Sequence, residues 1–209
     1  MNLRIVREDA AFVICEKPAG ADSERELPAL LREACGGEVF PVHRLDRGVG
    51  GLIVFARTAE AAASLSEQVR SRRMRKEYLA VVNGVPAPAG GTMTDLLYHD
   101  ARQNKSYVVK RPRKGVREAV LEYETLAAAG REDMRSLVRI RLQTGRTHQI
   151  RVQFASRGLP LCGDRRYGAR DGADAIALWS HRFTFSHPLS GERVDVSLPP
   201  PGGLPWDLF

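Results

Sequence analysis

Cysteine, long apolar runs and nucleotide-binding signatures are all scarce in this sequence. Its three cysteines, Cys15, Cys35 and Cys162, are odd in number and form no CxxC pattern. That argues against a disulfide framework or a zinc knuckle. No apolar run is long enough to span a bilayer, and the first nine residues carry Arg4, Arg7, Glu8 and Asp9 in place of the apolar core of a signal peptide. The expected location is the cytoplasm, with no membrane partner. Neither GxxxxGK[ST] nor a dinucleotide fingerprint is present, and the five histidines lack HExxH or comparable spacing. No metal is expected, since His43, His148 and His181 have no ligand spacing behind them. No internal repeat is evident.

Positive charge, by contrast, is plentiful. The formal net charge is +7 and the pI about 9.7, a balance that favours a polyanionic partner such as nucleic acid. Two stretches concentrate it. Arg70, Arg72, Arg73, Arg75 and Lys76 fall within seven residues with no acid before Glu77. They read either as a solvated helix end or as a phosphate-contacting patch. From Arg102 to Arg117 there are seven basic residues and no acidic one. Pro112 and Gly115 break any helix there, so a hairpin or mobile arm suited to gripping phosphates without reading sequence is expected. At 209 residues and 43% hydrophobic, the chain can bury one sizeable core, and one domain over 1–209 is expected.

Short apolar segments dominate the local pattern. Leu3 to Val6, Phe12 to Cys15, Leu52 to Ala56, Tyr78 to Val82, Ala119 to Leu126 and Ser136 to Leu142 read as strands, as do Ala175 to Trp179, Phe183 to Phe185 and Val194 to Leu198. Helices are fewer. Leu27 to Ala34 ends near Gly36-Gly37, a second helix runs from an N-cap at Thr58 to Val69, and a third runs from an N-cap at Thr147 to Arg157, with Gly158 as its stop. Lys17-Pro18-Ala19-Gly20 and Pro86 to Gly91 are loops, and Pro199 to Pro205 is coil.

Three stretches stand out chemically. His43-Arg44-Leu45-Asp46-Arg47 is followed by three glycines in four residues and then an apolar strand. Asp46 reads either as a carboxylate aimed at a substrate from a glycine-bent loop, or as one half of a surface Arg-Asp pair. Tyr78 shares a strand face with Lys76 and Ala80. There it can pack in the core, or stack on a nucleobase at the edge of the basic cluster. In Gly145-Arg146-Thr147-His148-Gln149-Ile150-Arg151, burial of the guanidinium beside Ile150 and Phe154 demands a carboxylate. Asp46 is the candidate partner for Arg151.

His43-Arg44-Leu45-Asp46, Arg75-Lys76-Glu77-Tyr78-Leu79-Ala80-Val81-Val82-Asn83-Gly84, Gly145 to Val152, and Gly163-Asp164 before Tyr167-Gly168, taken in this order and spacing, resemble the RluA-like family of RNA pseudouridine synthases. Glu16-Lys17-Pro18-Ala19-Gly20 and His187-Pro188 are similar to its outer segments, so the resemblance covers nearly the whole chain. It implies an α+β fold with a mixed, largely antiparallel sheet, a central active-site cleft and flanking helices. Asp46 then resembles the catalytic aspartate, Tyr78 the active-site tyrosine and Arg151 the arginine that pairs with the aspartate. His43, Arg44, Arg146, His148 and Gln149 fall within the same motifs and would line or brace the cleft, with Arg72, Arg73, Arg75 and Lys76 contacting RNA. The family usually carries Thr-Ser-Gly after the aspartate, where this chain has Val49-Gly50-Gly51, so hydroxyl contacts expected there are absent. The S4 RNA-binding domain that often precedes the family's catalytic domain is not expected here, which leaves the RNA grip to the basic stretches.

The resemblance implies isomerisation of uridine to pseudouridine in structured ribosomal or transfer RNA. The target base is flipped out and no cofactor is needed, because the reaction is redox-neutral. A monomer is expected. Two rival readings remain: an RNA-binding module without catalysis, and a carboxylate-based nucleoside or glycoside hydrolase. The hydrolase would need a second acid beside Asp46, for which the motifs supply only Glu77.

Overall fold

The computed structural model describes residues 3–209. Residues 1 and 2, included in the expected domain, lie outside the described residues. The chain packs as two compact units interleaved in sequence. The first runs up to Glu77 and includes Trp179–Pro200; the second is Tyr78–Leu178 with Pro201–Phe209. The fold is α+β, with mixed, largely antiparallel pairing.

In the first unit the strand order is β1 (Ile5–Glu8), β2 (Phe12–Lys17), β4 (Gly50–Ala56) and β10 (Leu178–Ser186), with β3 (Phe40–Pro41) on β4 and β11 (Arg193–Ser197) on β10. β2 and β4 are antiparallel, from Phe12 opposite Ala56 to Lys17 opposite Gly51. β4 and β10 are parallel, with Trp179 opposite Gly50 and Ser180 opposite Gly51. All seven residues of β4 are buried, which is why it reads as a continuous apolar run rather than an alternating one. Helix α1 (Glu26–Cys35) buries Leu27 and Leu31, and α2 (Ala59–Arg70) buries Ala61 and Leu65. Thr58 caps α2 as the sequence predicts, its hydroxyl accepting from the Ala61 amide at 3.1 Å.

The second unit orders its strands β5 (Arg75–Asn83, entering from the first unit), β9 (Arg135–Leu142), β8 (Val116–Ala129), β6 (Gly90–Asp100) and β7 (Lys105–Val109). The basic stretch Arg102 to Arg117 is the predicted hairpin. β7 pairs antiparallel with β6 from Leu96 opposite Val109 to Asp100 opposite Lys105, and 110–115 is an exposed loop leading into β8. Helix α3 (Gln149–Ala155) packs Val152 with Leu97, Ala119 and the ring of Tyr167. A second cluster joins Val81, Cys162 and Ala177.

Two expectations fail locally. Thr147 does not cap α3. The residue flanking the helix is His148, in the left-handed region at φ 56°, with no side-chain cap, while the Thr147 carbonyl accepts from the Ser106 hydroxyl at 2.6 Å. The helix also ends at Ala155, short of Arg157, although Gly158 does turn the chain at φ 76°. Ala175 to Ala177 precede β10 rather than belonging to it, yet Ala177 still exchanges backbone bonds with Val81 and Cys162.

Candidate active site

In the first unit, the loop that carries Asp46 is held on both flanks. Ser23, buried, donates its hydroxyl to the Leu45 carbonyl at 3.0 Å and accepts from the Leu45 amide at 3.2 Å. On the far side Lys17 has no exposed surface. Its ammonium donates to the carbonyls of Pro18 (3.1 Å), Arg47 (3.0 Å) and Val49 (2.6 Å). The Gly20 amide adds a bond to the Arg47 carbonyl at 2.7 Å, and Arg47 Nε returns one to the Gly20 carbonyl at 2.7 Å. The Val49 amide then closes the turn on the Asp46 carbonyl at 2.9 Å. Asp46, half-buried, therefore projects from a loop whose backbone polar groups are tied to the strand-end segment 17–23. Burial pulls the Lys17 ammonium down to about 8 from its ordinary 10.5, against the opposing fields of Asp46, Asp22 and Glu26. The sequence assigned no role to Lys17 or Ser23. A lysine ending the apolar run Phe12 to Cys15 was the available signal.

The glycines after Asp46 have a packing cause. A Cβ on Gly50 would stand 2.5 Å from the Trp179 ring, and one on Gly51, at φ 109°, would stand 2.4 Å from the Ser180 carbonyl oxygen. The parallel approach of β10 fills the space that side chains would need.

Of the other first-unit candidates, His43 accepts the Val54 amide on Nε2 at 3.2 Å and meets Phe183 edge to face at 5.1 Å. Burial, with the Lys76 charge nearby, pushes its pKa well below the ordinary value, so the ring is neutral. Lys76 is itself half-buried and drawn down to about 8 by desolvation. Arg44 forms an exposed pair with Glu24 at 3.3 Å. Arg72, Arg73 and Arg75 are exposed, Arg72 at φ 60° and Arg73 donating to the Ser71 hydroxyl at 3.0 Å. His181 bonds the Leu198 carbonyl through Nδ1 at 2.8 Å. Among the described residues no group of three or more His, Cys, Asp or Glu is placed to hold a metal ion.

The second unit contributes Tyr78 and the segment around Arg151. Tyr78 is buried on β5. Arg151, at 5% exposure, directs Nε and Nη2 to the two oxygens of Asp164, at 2.7 and 2.9 Å, and Asp164 is 1% exposed. The carboxylate on this edge of the guanidinium is thus one the sequence placed only in a glycine-punctuated turn, 13 residues further on. The ring of Tyr167 lies under the guanidinium, 5.1 Å from centroid to Cζ. Gln149 is wholly engaged in structure: Oε1 accepts from the Thr144 hydroxyl (2.8 Å) and the Arg146 amide (3.0 Å), and Nε2 donates to the Val120 carbonyl (3.1 Å). Arg146 Nε donates to the Glu118 carbonyl at 2.9 Å from an exposed position.

A family model described as RNA pseudouridylate synthase matches residues 11–156, a span that contains Asp46, Tyr78 and Arg151. The chain belongs to the RNA pseudouridylate synthase family. Among curated relatives, an uncharacterized RNA pseudouridine synthase of Mycobacterium bovis is 37% identical over 169 residues, covering 78% of this chain and 53% of the relative. The ribosomal large subunit pseudouridine synthase D of Zymomonas mobilis is 32% identical over 219 residues, covering 92% of this chain and 68% of the relative. The chain thus spans about half the length of the mycobacterial protein. Its structure superposes on human RNA Pseudouridylate Synthase Domain Containing 1 with a TM-score of 0.83 at 26% identity, covering 96% of this chain and 84% of that one. The expected pseudouridine synthase fold is borne out, as is the resemblance to RluA-like members. No helix of the described residues is long and apolar enough to cross a membrane.

Proposed function

We propose that this pseudouridylate synthase family member isomerises uridine to pseudouridine in structured ribosomal or transfer RNA, with Asp46 as the essential group. One observation carries the reading: a single family match runs continuously through Asp46, Tyr78 and Arg151. The clamped loop supports it, because a group that acts on a reacting sugar must be held in place before the substrate arrives.

The chemistry balances without a redox partner. The N1–C1′ bond breaks, the detached uracil turns, C5 joins C1′, the C5 proton leaves and N1 gains one. Asp46 drives the first step, by attack at C1′, the new bond breaking again as C5 joins C1′, or by removing the C2′ proton, which it returns once C5 has joined. Tyr78 stacks on the freed base while it turns. The target nucleotide is flipped out of its helix, with exposed arginines at 72, 73 and 75 and the β6–β7 hairpin on the flanking phosphates.

The test uses the full chain with RNA carrying tritium at uridine C5. Turnover releases the label to water as pseudouridine forms, and Asp46→Asn lowers the rate by at least about 10²-fold, the lower end of what a positioned acid or base contributes, with RNA affinity unchanged. Free uracil in place of pseudouridine would make the protein a hydrolase. Tight RNA binding with no product would make it a binding module.

A further inference from the structure

His148 combines two unusual features. Its backbone lies in the left-handed region, at φ 56° and ψ 23°, a conformation that costs a non-glycine residue roughly 1–2 kcal/mol and persists only where surrounding contacts over-determine it. Its side chain is 7% exposed, and Nδ1 lies 2.9 Å from the hydroxyl of Tyr167. The main chain is held at both ends of this turn. The His148 carbonyl accepts from the Val152 amide at 3.0 Å, while the Thr147 carbonyl takes the Ser106 hydroxyl.

The Tyr167 hydroxyl decides the proton arrangement. Its oxygen accepts the Ser106 backbone amide at 2.8 Å. Among the described residues its other close hydrogen bond is to His148 Nδ1, and the nearby Ser106 hydroxyl gives its own proton to the Thr147 carbonyl. With the phenol donating to it, Nδ1 supplies a lone pair and the ring proton resides on Nε2. The phenol keeps its proton, since burial raises its pKa above the ordinary 10.0. The same ring carries the Arg151 guanidinium at 5.1 Å and the Lys105 ammonium at 5.5 Å. One side chain therefore touches both His148 and Arg151. It is itself pinned by β7, and the neighbouring Arg166 donates to the Gln103 carbonyl in the β6–β7 turn at 2.9 Å.

We propose that Tyr167 is a positioning residue for uridine isomerisation: with its oxygen occupied by the Ser106 amide, its hydroxyl fixes His148 as the Nε2–H tautomer beside Arg151. The inference rests on the reading that the segment bearing His148 and Arg151 serves this reaction. The tautomer assignment can be read without turnover.

The test is nitrogen-15 correlation spectroscopy of the imidazoles in the full-length wild-type chain and in Tyr167→Phe, with His148 assigned by its loss in His148→Gln. The expected result is a wild-type His148 protonated on Nε2 alone and a Tyr167→Phe chain in which both tautomers are populated. In the tritium-release assay Tyr167→Phe lowers kcat about tenfold, the worth of one well-placed hydrogen bond, with KM for RNA within about twofold. A wild-type His148 protonated on Nδ1 overturns the proposal, even if the variant does not fold. An unchanged His148 signature in a folded Tyr167→Phe chain, or an unchanged kcat, overturns it too. If the wild-type chain makes no pseudouridine, it is the functional reading that fails, and the spectra still decide the tautomer.

Discussion

Replacing Asp164 with alanine tests the energetic centre of the second unit. Asp164 and Arg151 are 1% and 5% exposed and joined by two charge-assisted bonds of 2.7 and 2.9 Å. Taking both charges out of water is expensive, and on this edge each offsets that cost for the other. Removing the carboxylate leaves a guanidinium that keeps its proton at any accessible pH, stranded on that edge. Breaking a buried pair in this way costs about 3–5 kcal/mol, and for a chain of this size that corresponds to a fall in Tm of roughly 6–20 °C. Asp164→Asn, which keeps the shape and one acceptor, should lose less. The double variant Arg151→Met/Asp164→Leu should recover most of the stability, because apolar replacement of a whole buried pair is often neutral. Urea unfolding followed by tryptophan fluorescence and circular dichroism measures all three. If Asp164→Ala unfolds within about 1 kcal/mol of wild type, the guanidinium is solvated or carried by other groups, and the picture of a buried, mutually dependent pair is wrong.

Two further outcomes follow from the first unit's loop and the second unit's hairpin. Lys17→Met removes three ammonium bonds; the Arg47 and Pro18 carbonyls keep the Gly20 and Ala21 amides at 2.7 and 3.3 Å, while the Val49 carbonyl loses its Lys17 donor, at about 1–3 kcal/mol for an acceptor left buried. Wild-type stability measured against this variant should rise as pH goes from about 8 to 10.5. In that window the unfolded chain still holds the Lys17 proton while the folded chain has released it, so unfolding takes up a proton. A difference that is flat or falls with pH refutes the burial of that ammonium. Alanine at the exposed Lys110, Arg111, Lys114 and Arg117 should weaken RNA binding and flatten the slope of log K against log salt by about 0.7 per lost phosphate contact, about 3 for the set. Arg113 is left in place because it stacks on Tyr98 at 4.7 Å. An unchanged slope removes these four residues, in the β7–β8 connection and at the start of β8, from the RNA grip.

Local order was legible in the sequence wherever one physical signal dominated. The apolar run of β4, the Thr58 cap, the helix stop at Gly36-Gly37 and the hairpin within Arg102 to Arg117 each follow from patterning or turn chemistry within a dozen residues. So did the family, because its motifs are strings of neighbours along the chain. What the sequence could not supply was contact at a distance. The Thr147 cap does not form: α3 starts behind a left-handed His148 with no side-chain cap, and Ser106, 41 positions away, ties the Thr147 carbonyl. The carboxylate on the Nε edge of Arg151 turned out to be Asp164. Lys17 and Ser23, ordinary in a linear reading, clamp the loop that carries Asp46. Gln149, read as lining or bracing the cleft, bonds the Thr144 hydroxyl, the Arg146 amide and the Val120 carbonyl of its own unit. Which residues can form strands, helices and turns is set by side-chain periodicity and backbone preference, and those are properties of short segments. Which buried donor meets which buried acceptor is set only when packing excludes water and every polar group must find its partner inside the fold, and that choice belongs to the tertiary structure alone.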